Sequence, residues 1–154
     1  MIIELCADIN ALDNNGLTPL HEAIDTSQLL KKRKLDIVQL LLDHGANVAP
    51  QDNDHSTVLH LAAKNGDFAA TRVLLEHGTS TDARDKGFHT PLHSASSSRN
   101  PDVVRLLLEH GADVKAQADN DVTALHLTAR KGKLAVTHLL LEHGANVHAR
   151  RYDF

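Results

Sequence analysis

Residues 57–78 read TVLHLAAKNGDFAATRVLLEHG, and their pattern recurs along most of the chain. The opening tetrapeptide returns as TPLH at 18–21, TPLH at 90–93 and TALH at 123–126. Thr57, Thr90 and Thr123 are 33 residues apart, whereas Thr18 precedes Thr57 by 39, the same unit with six residues inserted. The closing glycine obeys the same ruler: Gly45, Gly78, Gly111 and Gly144 are each 33 apart. Self-similarity at such a period marks a stacked repeat architecture.

Within the unit, Thr57 stands where a helix N-cap belongs, its oxygen able to accept from an unpaired N–H of the first turn. Pro19 and Pro91 follow the corresponding threonines, at the first helical position where a missing N–H costs nothing. Leu59, Ala62 and Ala63 place an apolar stripe on a short helix, and the small alanines let a neighbour approach closely. Gly66 ends that helix. Phe68, Val73, Leu74 and Leu75 lie on a second helix that stops at Gly78. The triplets Leu40-Leu41-Leu42, Val73-Leu74-Leu75, Leu106-Leu107-Leu108 and Leu139-Leu140-Leu141 each sweep a broad helical arc, since successive residues advance about 100°. Such an arc is buried only by the partner helix together with neighbouring units.

The chain therefore resembles the ankyrin-repeat family. The resemblance rests on Asp13-x-x-Gly16-x-Thr18-Pro19-Leu20-His21, on Leu61-Ala62-Ala63-Lys64-Asn65-Gly66, and on Leu107-Leu108-Glu109-His110-Gly111-Ala112-Asp113-Val114. It implies an all-α repeat solenoid of four repeats, each a helix-turn-helix with a β-turn finger loop. The expected boundaries are 12–50 for the repeat with the insertion, then 51–83, 84–116 and 117–149. Residues 1–11 read as a partial repeat, Cys6 standing where glycine is usual, and 150–154 as a tail. The family's fingers would project from the loops around 46–56, 79–89 and 112–122.

Departures from the pattern carry their own expectations. Val58 and Ala124 replace the helix-opening proline. His55 replaces the finger glycine, so that finger should adopt positive φ less readily. Gly16 and Gly87 are assigned to fingers. The third repeat turns between helices through Arg99-Asn100-Pro101-Asp102, with Asn100 as cap and Pro101 opening the next helix. The insertion, 27–32, contains good helix formers and predicts a lengthened first helix or an ordered turn. Its basic run, Lys31-Lys32-Arg33-Lys34, is expected in solvent, with nuclear import or phosphate binding as the functional alternatives. Asn10 resembles the asparagine that intracellular hydroxylases modify in this family, and equally suits a turn. The apolar triplet of the last repeat and the missing first helix of the partial one suggest an array cut from a longer protein.

Composition narrows the function. The 154 residues are 42% apolar with 3% aromatics and no Trp, which predicts an aliphatic core. A net charge of −4 gives no global reason to bind nucleic acid or an anionic membrane. One cysteine excludes an internal disulfide, and no stretch reaches the roughly 18 apolar residues of a membrane span, so an intracellular, cytoplasmic location is expected, or nuclear through the basic run. The twelve histidines invite a metal site, but His21, His60, His93 and His126 occupy the tetrapeptide while His44, His77, His110 and His143 precede the capping glycines. Helices about 8–10 Å apart cannot bring equivalent histidines to one zinc about 2 Å away. The tetrapeptide histidines should instead bond structurally to cap hydroxyls or loop backbone. The glycines form no phosphate cradle, and Ser96-Ser97-Ser98 lacks a nucleophile context. No enzyme activity, cofactor or metal is expected.

By resemblance, specificity lies on fingertips and on the exposed concave side of the first helices. The candidates for partner binding are Lys64, Arg84, Lys86, Phe88, His89, Asp119, Asn120, Arg130 and Lys131. Arg and aromatic side chains are favoured anchors, which singles out Arg84, Arg130 and Phe88; Phe88 could equally tuck beneath its own finger. The expected function is a non-catalytic interaction module for an unidentified protein or peptide. The alternatives are an array that self-associates end to end through uncapped ends, or the targeting arm of a larger enzyme or effector.

Overall fold

The computed structural model describes residues 8–25, 31–98 and 100–150. Eight helices occupy them, forming four antiparallel pairs: α1 (Pro19–Asp25) with α2 (Lys31–Asp43), α3 (Val58–Asn65) with α4 (Phe68–Glu76), α5 (Pro91–Ser96) with α6 (Pro101–Glu109), and α7 (Ala124–Arg130) with α8 (Leu134–Glu142). The odd-numbered helices contact one another in sequence and form an inner layer; the even-numbered ones form an outer layer. Among the described residues there is no strand, only the isolated bridges Gln51 to Thr57 and Gln117 to Thr123.

The core is aliphatic, as composition requires. Leu20, Leu59 and Leu92 repeat at one position of the inner helices and are fully buried, as are Leu74, Leu107 and Leu140 of the outer layer. Beside them Ala23, Ala62 and Ala95 keep the inner layer close. Each such leucine is worth roughly 1.5–3 kcal/mol relative to exposure. Burial at the ends is incomplete: Leu40 is exposed where the equivalent Val73 and Leu106 are covered by a neighbouring pair, and Leu141 is exposed where Leu75 is covered.

The glycines after the outer helices take the left-handed conformation expected of C-caps, with φ of 76–84° at Gly45, Gly78, Gly111 and Gly144. The preceding histidines join in this ending. His44, His77, His110 and His143 each donate from Nδ1 to the carbonyl four residues back, at 2.8 Å.

In the first pair α2 has 13 residues against nine in α4, α6 and α8, and Lys31 and Lys32 of the insertion are its first positions. The expected lengthening of the first helix or ordered turn falls on residues 27–30, which lie outside the described residues, as do 1–7 of the partial repeat with Cys6, and Arg99. One expectation is corrected here: the basic run is not wholly solvated. Arg33 is exposed, but Lys34 is buried, its Nζ donating to the Ile24 carbonyl at the end of α1 and lying 3.2 Å from Asp67 Oδ2. Asp67 is the N-cap of α4, its carboxylate accepting from Ala70 N at 3.1 Å. One ammonium thus serves a helix C-terminus in one pair and a helix N-cap in the next. In the third pair Asn100 caps α6 as expected, accepting from Asp102 N at 3.1 Å, and its Nδ2 reaches back to the Gly66 carbonyl at 3.0 Å.

Candidate functional site

The fingers are built from aspartates. Asp13 Oδ1 accepts from the N–H groups of Asn15 and Leu17, Asp52 Oδ1 from Asp54 and Ser56, and Asp85 Oδ1 from Gly87 and His89, all at 2.8 Å. Each carboxylate folds the backbone over itself, as short acidic side chains do in turns. The Leu17 bond lowers the Asp13 pKa. Fingertips are then stitched together: Asn53 N donates to Asn15 O, Lys86 N to Asp54 O and Asp119 N to Gly87 O, at 2.9–3.1 Å. At the finger base Gln51 Nε2 reaches Arg84 O at 3.3 Å and Arg84 Nη1 reaches Gln117 O at 3.0 Å.

The tetrapeptide histidines lock the fingers to the helices. In each, Nδ1 accepts from the threonine backbone N–H at 3.1–3.2 Å, with the threonine hydroxyl at 2.8–2.9 Å. Nδ1 being an acceptor, the neutral ring carries its proton on Nε2. His60 Nε2 donates to the His89 carbonyl at 3.0 Å and His93 Nε2 to the Val122 carbonyl at 3.1 Å, each in the following finger. His21 Nε2 faces the equivalent Ser56 carbonyl but falls outside hydrogen-bond geometry and is buried without a partner. Burial lowers the pKa of His21 and His60, and holds His93 down to about 4. Among the described residues no three His, Cys, Asp or Glu side chains gather as metal ligands would.

The position two residues before the tetrapeptide threonine has positive φ in every finger: Gly16 at 76°, His55 at 59°, Phe88 at 56° and Asp121 at 57°. His55 thus takes the left-handed conformation despite its Cβ, and the aspartate bonds and the fingertip ladder hold the turn there. Gly87 does not supply the left-handed residue of its finger. A Cβ there would lie 2.7 Å from His89 Nδ1, so any other residue would have to displace the His89 ring. In the fourth finger Ala118 replaces the organising aspartate, and a 3-10 turn at Asp119–Asp121 takes its place, with Asn120 also at positive φ of 57°. Counting back from the threonines reveals both substitutions in the sequence.

The nine candidate residues fall into two groups and an outlier. Phe88 does not tuck under its finger: it is 53% exposed, with the Arg84 guanidinium carbon 6.0 Å from its ring centre. Arg84, Phe88, Asp119 and Asn120 line one open groove of about 730 Å³ between the third and fourth fingers, together with Lys115 and Gln117. Lys64, His89, Arg130 and Lys131 line a second, of about 350 Å³, on the inner-helix face, with Leu61, Ser94, Ser97 and Leu127. Lys86 belongs to neither; its ammonium pairs with Asp54 at 3.6 Å on the exposed fingertips. Ser98, next to Ser97 of the second groove, is buried and bonds to Asn100.

These features are those of a known class of helical repeat protein. The family model described as ankyrin repeats (three copies) matches residues 28–118 and 82–151, and the chain belongs to the ankyrin-repeat family. It is similar to Protein fem-1 homolog A-A of Mus musculus, 43% identical over 58 residues, covering 33% of this chain and 9% of that protein. It is also similar to the B-cell lymphoma 3 protein homolog of Mus musculus, 40% identical over 67 residues, 43% of this chain and 14% of that one. Alpha-latroinsectotoxin-Lt1a of Latrodectus tredecimguttatus is 37% identical over 60 residues, 39% and 4% respectively. The chain thus spans a small fraction of the length of these relatives. Ankyrin repeats generally mediate protein–protein interaction, and the family is typically non-catalytic. Among the described residues no helix is long and apolar enough to cross a membrane.

Proposed function

We propose that this chain is a non-catalytic interaction module that holds a protein or peptide partner across its fingers and the concave face of its inner helices, inside the cell. The observation that carries this reading is Phe88. A bulky side chain in the left-handed region costs roughly 1–2 kcal/mol relative to a relaxed backbone, and here that conformation puts an aromatic ring into solvent beside an arginine. Strain that displays an anchor residue is intelligible if a partner takes up the ring. Capture from an extract of the native host, quantified by mass spectrometry, should recover a partner that the Arg84→Ala/Phe88→Ala/Arg130→Ala variant loses by about tenfold or more, as removal of hot-spot side chains does. Equal recovery by the variant would refute this placement.

The exposed Leu40 and Leu141 favour a second reading, end-to-end self-association. Light scattering that reports one copy at every concentration would reject it.

A further inference from the structure

We infer that the concave groove between α3 and α7 is a receptor for an acidic peptide segment of the partner. The inference rests on the interaction reading above and gives it a ligand chemistry. Lys64, Ser97 and Arg130 occupy the same position in three successive helix pairs, 33 residues apart, and Lys131 adjoins Arg130. All three cations are exposed, and among the described residues no carboxylate pairs with any of them. The Ser94 and Ser97 hydroxyls, lining the groove between them, make no hydrogen bond among the described residues. The groove's one acid, Asp85, has its Oδ1 engaged by Gly87 N, His89 N and His89 Nδ1. Three unpaired cations in one concavity run against the chain's overall charge of −4.

The ligand's size and polarity follow from the layer. Neighbouring helices lie about 8–10 Å apart, so the span from Lys64 to Arg130 is about 16–20 Å, or roughly five or six residues of extended chain at about 3.3 Å each. The arginine fork suits a carboxylate, and the lysines and hydroxyls suit its neighbours. On α1 the equivalent positions are Asp25 and Glu22, so the acidic stretch stops before the first pair. A nucleic acid fits less well. The described groove residues offer no Phe, Tyr or Trp for base stacking, and Asp113, Asp119 and Asp121 line the neighbouring finger groove where a phosphodiester chain would continue.

The test is fluorescence anisotropy with labelled hexaglutamate, hexaglutamine and a single-stranded oligothymidylate. The protein is used intact and as Lys64→Gln/Arg130→Gln/Lys131→Gln, three exposed sites, with circular dichroism to verify the fold. Hexaglutamate should bind and hexaglutamine should not; the triple variant should bind at least about tenfold more weakly, and raised salt should weaken the intact protein's binding. Arg105→Gln, which removes an exposed cation on the outer helix α6, should leave hexaglutamate binding unchanged. Absence of hexaglutamate binding at about 1 mM, equal binding by the triple variant, or tighter binding of oligothymidylate through the same residues would overturn the inference. If hexaglutamate fails while Arg84→Ala/Phe88→Ala, confined to the finger groove, still loses a captured partner, the interaction module stands and the acidic ligand falls.

Discussion

Lowering the pH from 7.5 to 5 should destabilise this protein well above the range in which carboxylates titrate. The cause is the buried tetrapeptide histidine, seen most strongly at His93. Its Nδ1 accepts from Thr90 N and its Nε2 donates to Val122 O, so both nitrogens of the neutral ring are used. A second proton would abolish the Nδ1 acceptor and charge a buried ring. Desolvation therefore holds the folded pKa at about 4 against an ordinary 6.5, with His89 and Arg84 adding to the lowering and the Val122 hydrogen bond and Asp85 opposing it. The sign follows from proton counting: between these values the unfolded chain binds a proton that the folded chain does not, so stability falls as the solution becomes more acid. The full stability is present above pH 6.5. The loss from His93 alone is about 2 kcal/mol at pH 5, approaching about 3 kcal/mol near pH 4. His60 and His21 act in the same direction. For a domain stable by roughly 5–15 kcal/mol this is a large fraction. Urea unfolding followed by circular dichroism at pH 7.5, 6.5, 5.5 and 5.0 measures it. His93→Gln, which cannot titrate, should be less stable at pH 7.5 and lose less between 7.5 and 5. An unchanged midpoint across that range, or a variant with the same pH slope as the parent, would refute the argument.

Lys34→Ala should cost about 2–4 kcal/mol by urea unfolding, because it leaves the half-buried Asp67 and the Ile24 carbonyl without their shared cation, whereas exposed Arg33→Ala should change stability by less than about 0.5 kcal/mol. His55→Gly should raise the unfolding free energy by about 0.5–1 kcal/mol, since glycine reaches φ of 59° without a Cβ penalty. Phe88→Gly should gain less, losing the Arg84 contact, while abolishing partner capture.

The helix pairs were legible because periodicity and caps agree: threonine or proline opens each inner helix and a glycine closes each outer one. The structural role of the four tetrapeptide histidines was likewise legible, although not which nitrogen bonds to what; for the four before the capping glycines the sequence showed the place and not the bond. What could not be read was anything decided between pairs. Lys34 lies in a run of four basic residues that looks solvated, and only the fold brings it to the end of α1 and the N-cap of α4. The finger conformation at His55 and Phe88 was missed because intrinsic preference argues against it, and the aspartate and ladder bonds of neighbouring fingers override that preference. The nine candidate positions were chosen by their place in the unit, and their division into a finger groove and a cationic groove depends on distances across three pairs.

The Nε2 bonds of His60 and His93 leave one helix pair and end on the finger that precedes the next. Each such bond makes a joint between neighbouring pairs, with its donor on one side and its acceptor on the other. A change at one of these histidines therefore reaches a loop 29 residues onward in the sequence. A partner gripping two adjacent fingers would clamp the joint between them, and binding and resistance to acid would then reinforce each other.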